Sequence, residues 1–596
     1  MSTRVTRWLT LVTLAAFALV AAPSAFSQAV TTAALTGTVI DETGAGLPGA
    51  TVLAIHLPSG SEYGTATRAD GRYDLRGLRV GGPYRVQISF IGYTPVVREG
   101  LRLTLGDAFE LDVQLTDTAA ELGEVTVSAG GLFDPNRSGV DTNISSDQIL
   151  ATPSIGRDLA DFTRLTPQAY VENDDDDGPS ISIAGQSNRY NSIYIDGAVS
   201  NDVFGLSAQG TNGGQTGSTP ISIDAIEEFQ IAISPFDVTQ SGFTGGAINA
   251  VTRSGTNTFE GSLYSFLRNE TLAGKTPGAL IADGAEGTRL PEFSNNRYGF
   301  RLGGPIVKDK LFFFVNGEIL RAETPAPFNR AYAGDSRDRL GDIRQTLIDE
   351  LGYDPGEFGD KVSSLDDNKA IVKLDWNAAP NHRVSARYSY SGADNTDQFA
   401  SNDENINFTN NSEFFPNRTH AFTTELNSTF GNQAANKLIL GYTSVSDDRD
   451  IVGDPFPSVE LEDGDGTIFI GSEPFSTANV LNQDIFTVTN NFSYFLGNHT
   501  LTVGAAGEFY SISNLFIPRN FGTYEYGSVD DFLQSVCAAG NGSSAYCATT
   551  FPGGTPDPVT PDIYQRGYSL VDGVAGDGTD AIGAFDAFQV SLYAQD

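Results

Sequence analysis

Residues 221–268 read ISIDAIEEFQIAISPFDVTQSGFTGGAINAVTRSGTNTFEGSLYSFLR, and the reading of this stretch decides the fold. Ile221, Ile223 and Ile226, then Phe229, Ile231 and Ile233, recur with acids between them, a spacing that predicts half-buried strand. Gly242, Gly245, Gly246 and Gly255 interrupt the pattern. Glycine at such points supplies backbone angles other residues avoid and lets another backbone approach closely. From Phe259 a new alternation begins and continues to Asp596. The stretch therefore reads as a seam, with a small α/β module over 144–255 handing over to a large antiparallel sheet over 256–596.

Downstream of the seam the strands are two-sided. Val372, Leu374 and Trp376 alternate with Lys373, Asp375 and Asn377, and Val384, Ala386, Tyr388 and Tyr390 alternate with Arg383, Ser385, Arg387 and Ser389. Phe486, Val488 and Phe492, then Leu501, Val503, Ala505 and Phe509, repeat the rhythm. Short turns (303–310, 431–436, 495–499) are expected to alternate with long polar connections (322–368, 391–418, 447–483, 512–585). One face could meet lipid and the other water, as a closed membrane barrel requires, with short periplasmic turns and long outer loops. A water-soluble sandwich with two polar rims is the competing reading. Roughly ten strands are legible, ending with Phe588–Asp596, whereas the barrels of the family that the motifs below resemble have about twenty-two. The sheet is thus expected to be an incomplete barrel, from a fragment or a truncated gene, and unable to form a stable pore alone because open strand edges in lipid are costly.

Upstream, residues 34–116 carry short strands between Gly, Pro and Asp turns with no helical period, predicting a small β-sandwich within 28–116. Residues 117–143 read as a linker with a strand-like island at 121–129. In the module, a helix is expected to open at 145–148 and another to run over 157–165, with strands at 180–184, 190–196 and 225–233. Residues 1–27 read as a secretory signal, with Arg4 and Arg7 before an apolar run and small residues at Ala25 and Ser27. In an oxidising compartment Cys537 and Cys547 are expected to bridge one another, free thiols being the alternative.

The 596-residue chain carries 74 acids against 36 bases, a formal net charge of -38. That balance opposes nucleic-acid binding, which rests on clustered Lys and Arg. It fits a solvated surface, or contacts with cation-rich substrate or lipid. Catalytic signatures are missing. His56, His382, His420 and His499 stand far apart and read as turn or surface residues, with no zinc-holding spacing. Residues 44–49 match a dinucleotide G-x-G-x-x-G by letter but contain Pro48 and lack a following helix. Gly274-Lys275-Thr276 resembles the end of a phosphate loop, yet Asn269 fills the first Gly position. The acidic run 172–178 could ligate Ca²⁺, but a solvated loop fits as well, since Ala184 stands where a closing Glu belongs. No enzyme activity, metal or cofactor is expected.

Several motifs carry a family resemblance. Pro235-Phe236-Asp237-Val238, Gly242-Phe243-Thr244-Gly245-Gly246, Ile248-Asn249-Ala250-Val251-Thr252 and Arg253-Ser254-Gly255-Thr256-Asn257 resemble the end of the plug domain in TonB-dependent outer-membrane receptors, the Oar-like subgroup above all. Gly37-Thr38-Val39-Ile40-Asp41, Leu47-Pro48-Gly49-Ala50 and Asp70-Gly71-Arg72-Tyr73 resemble the carboxypeptidase-regulatory-like domain, a name that implies no peptidase. The resemblance implies that 144–255 plugs a barrel lumen and that the N-terminal domain is periplasmic. It also implies that Glu124, Val125, Thr126, Val127 and Ser128 form a TonB box; the other reading makes them the last strand of the sandwich. The partners implied are a TonB-like energy-transducing protein, outer-membrane lipid and an unknown extracellular solute, imported or exported. A surface adhesin or carbohydrate-binding protein, or an inert gene remnant, are the alternatives.

Overall fold

The computed structural model describes residues 30–117, 140–174, 178–235, 237–240, 242–275, 287, 289–328, 332–571 and 581–596. The predicted signal segment 1–27 and the island 121–129 lie outside the described residues. The fold is mainly β, and the described chain makes a sandwich, an α/β unit, a ten-stranded sheet and a separate cap.

The sandwich has two four-stranded sheets. In one, Ala33–Ile40 lies between Arg72–Leu78 and the short strands Ala108–Glu110 and Val113–Gln114; in the other the order is Ser61–Ala66, Thr51–His56, Gly81–Ser89 and Val96–Leu103. Leu35, Val39, Val52, Ala54, Tyr73, Tyr84, Val86 and Ile88 face one another between them. His56 departs from expectation. It is buried at the end of its strand, with Nδ1 2.7 Å from Ser59 Oγ and its ring against Tyr84. Burial, then the charge of Arg79, push its pKa down to about 3, so the ring is neutral.

In the α/β unit five strands run in the order Ala198–Val199, Ser192–Ile195, Ala247–Thr252, Ile226–Ala232, Asp141–Ser145. Ser145 caps the helix Ser146–Ala151 in a capping box with Gln148, and Asp158 caps Leu159–Thr163. The second helix is shorter than the spacing over 157–165 suggests, because Arg157 sits at φ 53°, outside helical geometry, and the cap falls one residue later. The core of the unit, including Phe162, Ile193, Phe229, Ile231 and Ile248, runs on into Phe314 and Ile371 of the large sheet.

The large sheet comprises Glu260–Asn269, Ser294–Val307, Leu311–Ala326, Lys361–Ala379, His382–Asp397, Glu413–Phe430, Ala434–Ile451, Asn479–Leu496, His499–Phe516 and Gly583–Gln595, each pairing antiparallel with the next. Its register sorts the side chains into rows. Leu302, Val315, Val372, Tyr388, Phe422, Tyr442, Phe486, Phe509 and Phe588 stand beside one another across nine strands, on the outer face. One residue along, Phe314, Lys373, Arg387, Thr423, Gly441, Thr487, Glu508 and Gln589 form the adjacent row, on the inner face. A slip of one residue would exchange the rows, so the register is strongly fixed. Apolar outside and polar inside inverts a soluble domain and matches a barrel wall. The sheet curls around the α/β unit, which reaches Tyr264 on the first strand and Gln595 on the last.

Two expectations need correction. The long connections are shorter than the sequence suggests, because wall strands extend well into them: Lys361–Ala379 alone is 19 residues. What remains is not loose polar loop. Strands Asn405–Asn407, Ser458–Asp463, Gly466–Ile470, Thr523–Tyr526 and Ile563–Gln565 form one sheet, covered by helices Leu340–Leu351, Val529–Ala539 and Ala545–Thr550. This cap has its own core, including Ile343, Leu347, Ile406, Phe408, Leu461, Ile468, Phe532 and Leu533. A disulfide joins Cys537 and Cys547, whose Cα atoms are 5.7 Å apart. Glu350 accepts from the backbone N–H of Asn541 (2.9 Å), Gly542 (2.8 Å) and Ser544 (2.6 Å), tying the first long connection to the last. Burial works against ionisation of Glu350, but these bonds outweigh it and hold its pKa below the usual carboxylate range.

Candidate functional site

The α/β unit meets the wall through buried charges. Strand Ser192–Ile195 ends in a tight turn in which Asp196 adopts φ 46° and Gly197 φ 85°. The turn aims the Asp196 carboxylate at Thr252, which donates from its amide (2.8 Å) and its hydroxyl (2.5 Å). From the wall, Lys373 Nζ comes within 3.5 Å of Asp196 and Arg387 Nη1 within 3.3 Å. Lys373 also donates to the Thr252 carbonyl at 2.9 Å. Burial raises the Asp196 pKa, but the two cations and the Thr252 bonds outweigh it, and the carboxyl stays below its ordinary range.

Two further groups repeat the design. Ser222 donates to Glu318 (2.8 Å), which also takes Arg297 (2.6 Å) and the Tyr264 hydroxyl (3.0 Å). Ser218 donates to Asp367 (2.7 Å), itself paired with Lys369 at 2.8 Å. Within the unit, Arg157 pairs with Asp224 at 2.5 Å and lies 3.8 Å over the Phe266 ring of the first wall strand. Buried ion pairs add little net stability against apolar packing of equal volume, but losing one partner strands a charge and costs about 3–5 kcal/mol. Such a contact fixes where the unit sits, and entering water can replace its bonds, as it cannot for apolar packing.

The sandwich closes the short-turn end. Its loop residue Leu105 donates its amide to Glu228 (2.9 Å) and accepts at its carbonyl from Gln230 (3.1 Å) and Asn143 (3.0 Å). Burial, with help from the charges of Glu227 and Asp107, pushes the Glu228 pKa up to about 7 against the Leu105 bond. Arg383 donates to the carbonyl of Glu62, Lys437 to Thr31 and Thr32, and Asn377 to Ser61. Arg68 and Arg76 lie over the ring of Phe495 near another short turn.

The residues expected at the seam divide into two places. Arg253, Ser254, Gly255 and Asn257 lie where sandwich, α/β unit and wall meet: Arg253 pairs with Glu227 (3.3 Å), Arg79 donates to the Gly255 carbonyl (3.1 Å), and Asn257 exchanges bonds with Asp309 (2.6 and 2.9 Å) while its amide reaches the Pro58 carbonyl (2.8 Å). A Cβ on Gly255 would stand 2.3 Å from the Phe313 carbonyl oxygen, so only glycine allows the chain to enter the wall there. Asn249 is fully buried and accepts from the Val30 amide at 3.3 Å. Pro235, Asp237, Gly242, Phe243, Gly245 and Gly246 form the other group, a turn region in which Phe243 packs against Tyr194 and the Val238 amide reaches Gln595 (2.8 Å). Phe236 and the segment Glu124–Ser128 lie outside the described residues. The buried charges at this contact, Asp196, Lys373, Arg387, Glu318 and Arg297, belong to no motif of the sequence, although charged residues recurring at inward positions of two-sided strands are a legible signal. Among the described residues no group of His, Cys, Asp or Glu is placed to hold a metal ion.

Residues 34–116 match the carboxypeptidase regulatory-like domain, and 251–357 with 355–596 match the outer membrane beta barrel domain. The chain is similar to the TonB-dependent transporter Oar of Myxococcus xanthus, 30% identical over 305 residues, which cover 49% of this chain and 27% of that protein. The match thus spans about a quarter of the relative's length. Among solved structures it is similar to the outer membrane transporter YddB from Escherichia coli (14% identity, TM-score 0.47, 65% of this chain and 50% of that one). It is also similar to the siderophore receptor PirA from Pseudomonas aeruginosa (14% identity, TM-score 0.39, 64% of this chain and 49% of that one).

Proposed function

Because the chain belongs to the outer membrane beta barrel domain family, we propose that it works as part of a TonB-dependent outer-membrane transporter, moving a bulky solute past a plug formed by the α/β unit. The observation that carries this reading is the plug's seat. An inward row of charged and polar side chains receives it, and Asp196 is held between Lys373 and Arg387. A wall that only had to be sealed would be better served by apolar packing. A polar seat suits a plug that must be moved and replaced. The segment Glu124–Ser128 lies in sequence between the sandwich and the plug. A TonB-like partner would add it as a strand to its own sheet and pull, main-chain bonds bearing the load. The sandwich sits at the short-turn end, the periplasmic end of such barrels, which speaks against a surface adhesin built on it.

The test is uptake by cells carrying the full-length protein. They should accumulate a medium component that cells without it do not, and a protonophore should abolish the difference. Uptake that persists with the protonophore, or after deletion of 121–129, would overturn the reading.

A further inference from the structure

The plug's first strand, Asp141–Ser145, is the point at which the chain coming from the sandwich enters the plug. It lies at the edge of the plug sheet and pairs with Ile226–Ala232 alone, Asp141 opposite Ala232 and Ser145 opposite Glu228. Bonds between antiparallel strands run across the strand direction, so an edge strand drawn off from one end loses them one at a time. A five-residue edge strand left to itself would be among the first parts of the plug to open.

The sandwich sits on this pair of strands. The carbonyl of its loop residue Leu105 accepts from Asn143 on the edge strand and from Gln230 on the neighbouring one, while the Leu105 amide donates to Glu228. One sandwich residue therefore bonds to both strands and bridges the line along which they would part. Gln230 also donates to Asp141 at 2.8 Å, which ties the entry end of the edge strand into the same group. The Leu105 side chain is fully buried with Val80 of the sandwich and Val251 of the plug. Gly106 makes the close approach possible: it adopts φ 79°, and a Cβ there would stand 2.7 Å from Nε2 of the buried Gln230.

The loop is in turn held from the wall. The sandwich reaches each of the four short turns of the described wall. Gly60 lies against Asp309 in the first, and Arg383 beside the second donates to the Glu62 carbonyl with its guanidinium 3.8 Å over the Tyr63 ring. Asn432 in the third donates to the Thr67 carbonyl (3.5 Å), and Arg68 donates to the Gly497 carbonyl in the fourth (3.5 Å). Arg79 adds its bond to the Gly255 carbonyl, where the chain enters the wall.

We infer that the docked sandwich is a clamp on the plug: it holds Asp141–Ser145 against Ile226–Ala232 and must lift before that strand can be drawn out. The clamp rests on this geometry. Its role as a brake on transport rests on the reading that a partner pulls on Glu124–Ser128.

The experiment is hydrogen exchange on the unaltered full chain in detergent micelles, followed by mass spectrometry along a urea series too weak to unfold the wall. The amides of 141–145 should lose protection no earlier than the Leu105 amide, because the strand opens only once the loop has lifted. Exchange at 141–145 while Leu105 is still protected would overturn the clamp, and this comparison decides the matter even where a variant fails to fold. Arg79→Ala with Arg383→Ala loosens the sandwich from the wall without touching either strand. It should speed exchange at 141–145 at least about tenfold, the equivalent of one hydrogen bond to a charged group, and unchanged exchange there would count equally against the clamp. In cells the double variant should show faster protonophore-sensitive uptake than the unaltered chain; uptake that stays protonophore-sensitive but is no faster strikes out the brake. Should neither chain show such uptake, the transport reading falls and the exchange result stands by itself.

Discussion

The plug seat and the outer cap both bury side chains between separate stretches of chain, yet by opposite means. At the seat the contacts are charges and hydroxyls, with Asp196, Glu318 and Asp367 each meeting cations from the wall. In the cap the contacts are apolar, from Ile343 and Leu347 to Phe532 and Leu533, with a disulfide and the Glu350 carboxylate as fasteners. Apolar burial and a covalent bond hold elements together regardless of direction and resist water. A polar seat holds one position and yields once its groups find other partners. The comparison teaches that the cap is held by contacts that resist water, whereas the α/β unit is held by contacts that water can replace, as the transport reading proposed above requires of a plug.

The comparison breaks most directly at Asp196. Asp196→Ala should destabilise the seated plug by about 4 kcal/mol, because Lys373 and Arg387 remain buried without a counter-charge. Replacing Asp196, Lys373 and Arg387 together by apolar residues of similar volume should restore stability while stopping uptake. Denaturant unfolding and uptake assays read the two effects, and a stable, transporting triple variant would dissolve the contrast. In the cap, Cys537→Ser with Cys547→Ser should lose about 3 kcal/mol, the loop-closure entropy of a ten-residue loop, and should show as faster proteolysis at 529–550 with the plug unaffected.

A smaller effect separates the sandwich from both regions. Glu228 has a folded pKa raised to about 7 from an ordinary 4.5, so docking favours its protonated form. Its contribution is fully present below the ordinary value and is lost as pH rises through about 7. Between about pH 5 and pH 8 the docked arrangement should weaken by on the order of 2 kcal/mol, measured as hydrogen exchange at the Leu105 amide, and Glu228→Gln should flatten the profile. Smallest is Glu350→Gln, which keeps one acceptor oxygen on the 541–544 amides but loses its charge. A loss of about 1 kcal/mol, confined to the cap, is expected from thermal unfolding followed by the exchange of those amides.

Much of the wall was legible because a strand puts successive residues on opposite faces, so alternation such as Val372-Lys373-Leu374-Asp375-Trp376 announces two environments directly. Gly255 was legible for a similar reason: a glycine at a change of rhythm marks a close approach, and the Phe313 carbonyl supplies it. The cap escaped, since its strands are short and its core is assembled from four connections far apart in sequence. Asn405–Asn407 is three residues long and carries no period of its own, yet Ile406 is fully buried by Ile468 and its neighbours. The burial of His56 escaped too, because nothing within its strand reveals that Ser59 and Tyr84 will close over it.

What the sequence determined by itself is the two-faced wall and the order of modules along the chain, because both follow from local patterns: a period of two, glycine punctuation and turn residues. What only the tertiary structure decided is which charges meet. Asp196 lies 177 residues from Lys373 and 191 from Arg387, and no local rule links residues that far apart. Their meeting depends on a sheet that curls around the unit and on a register that points both cations inward at one level.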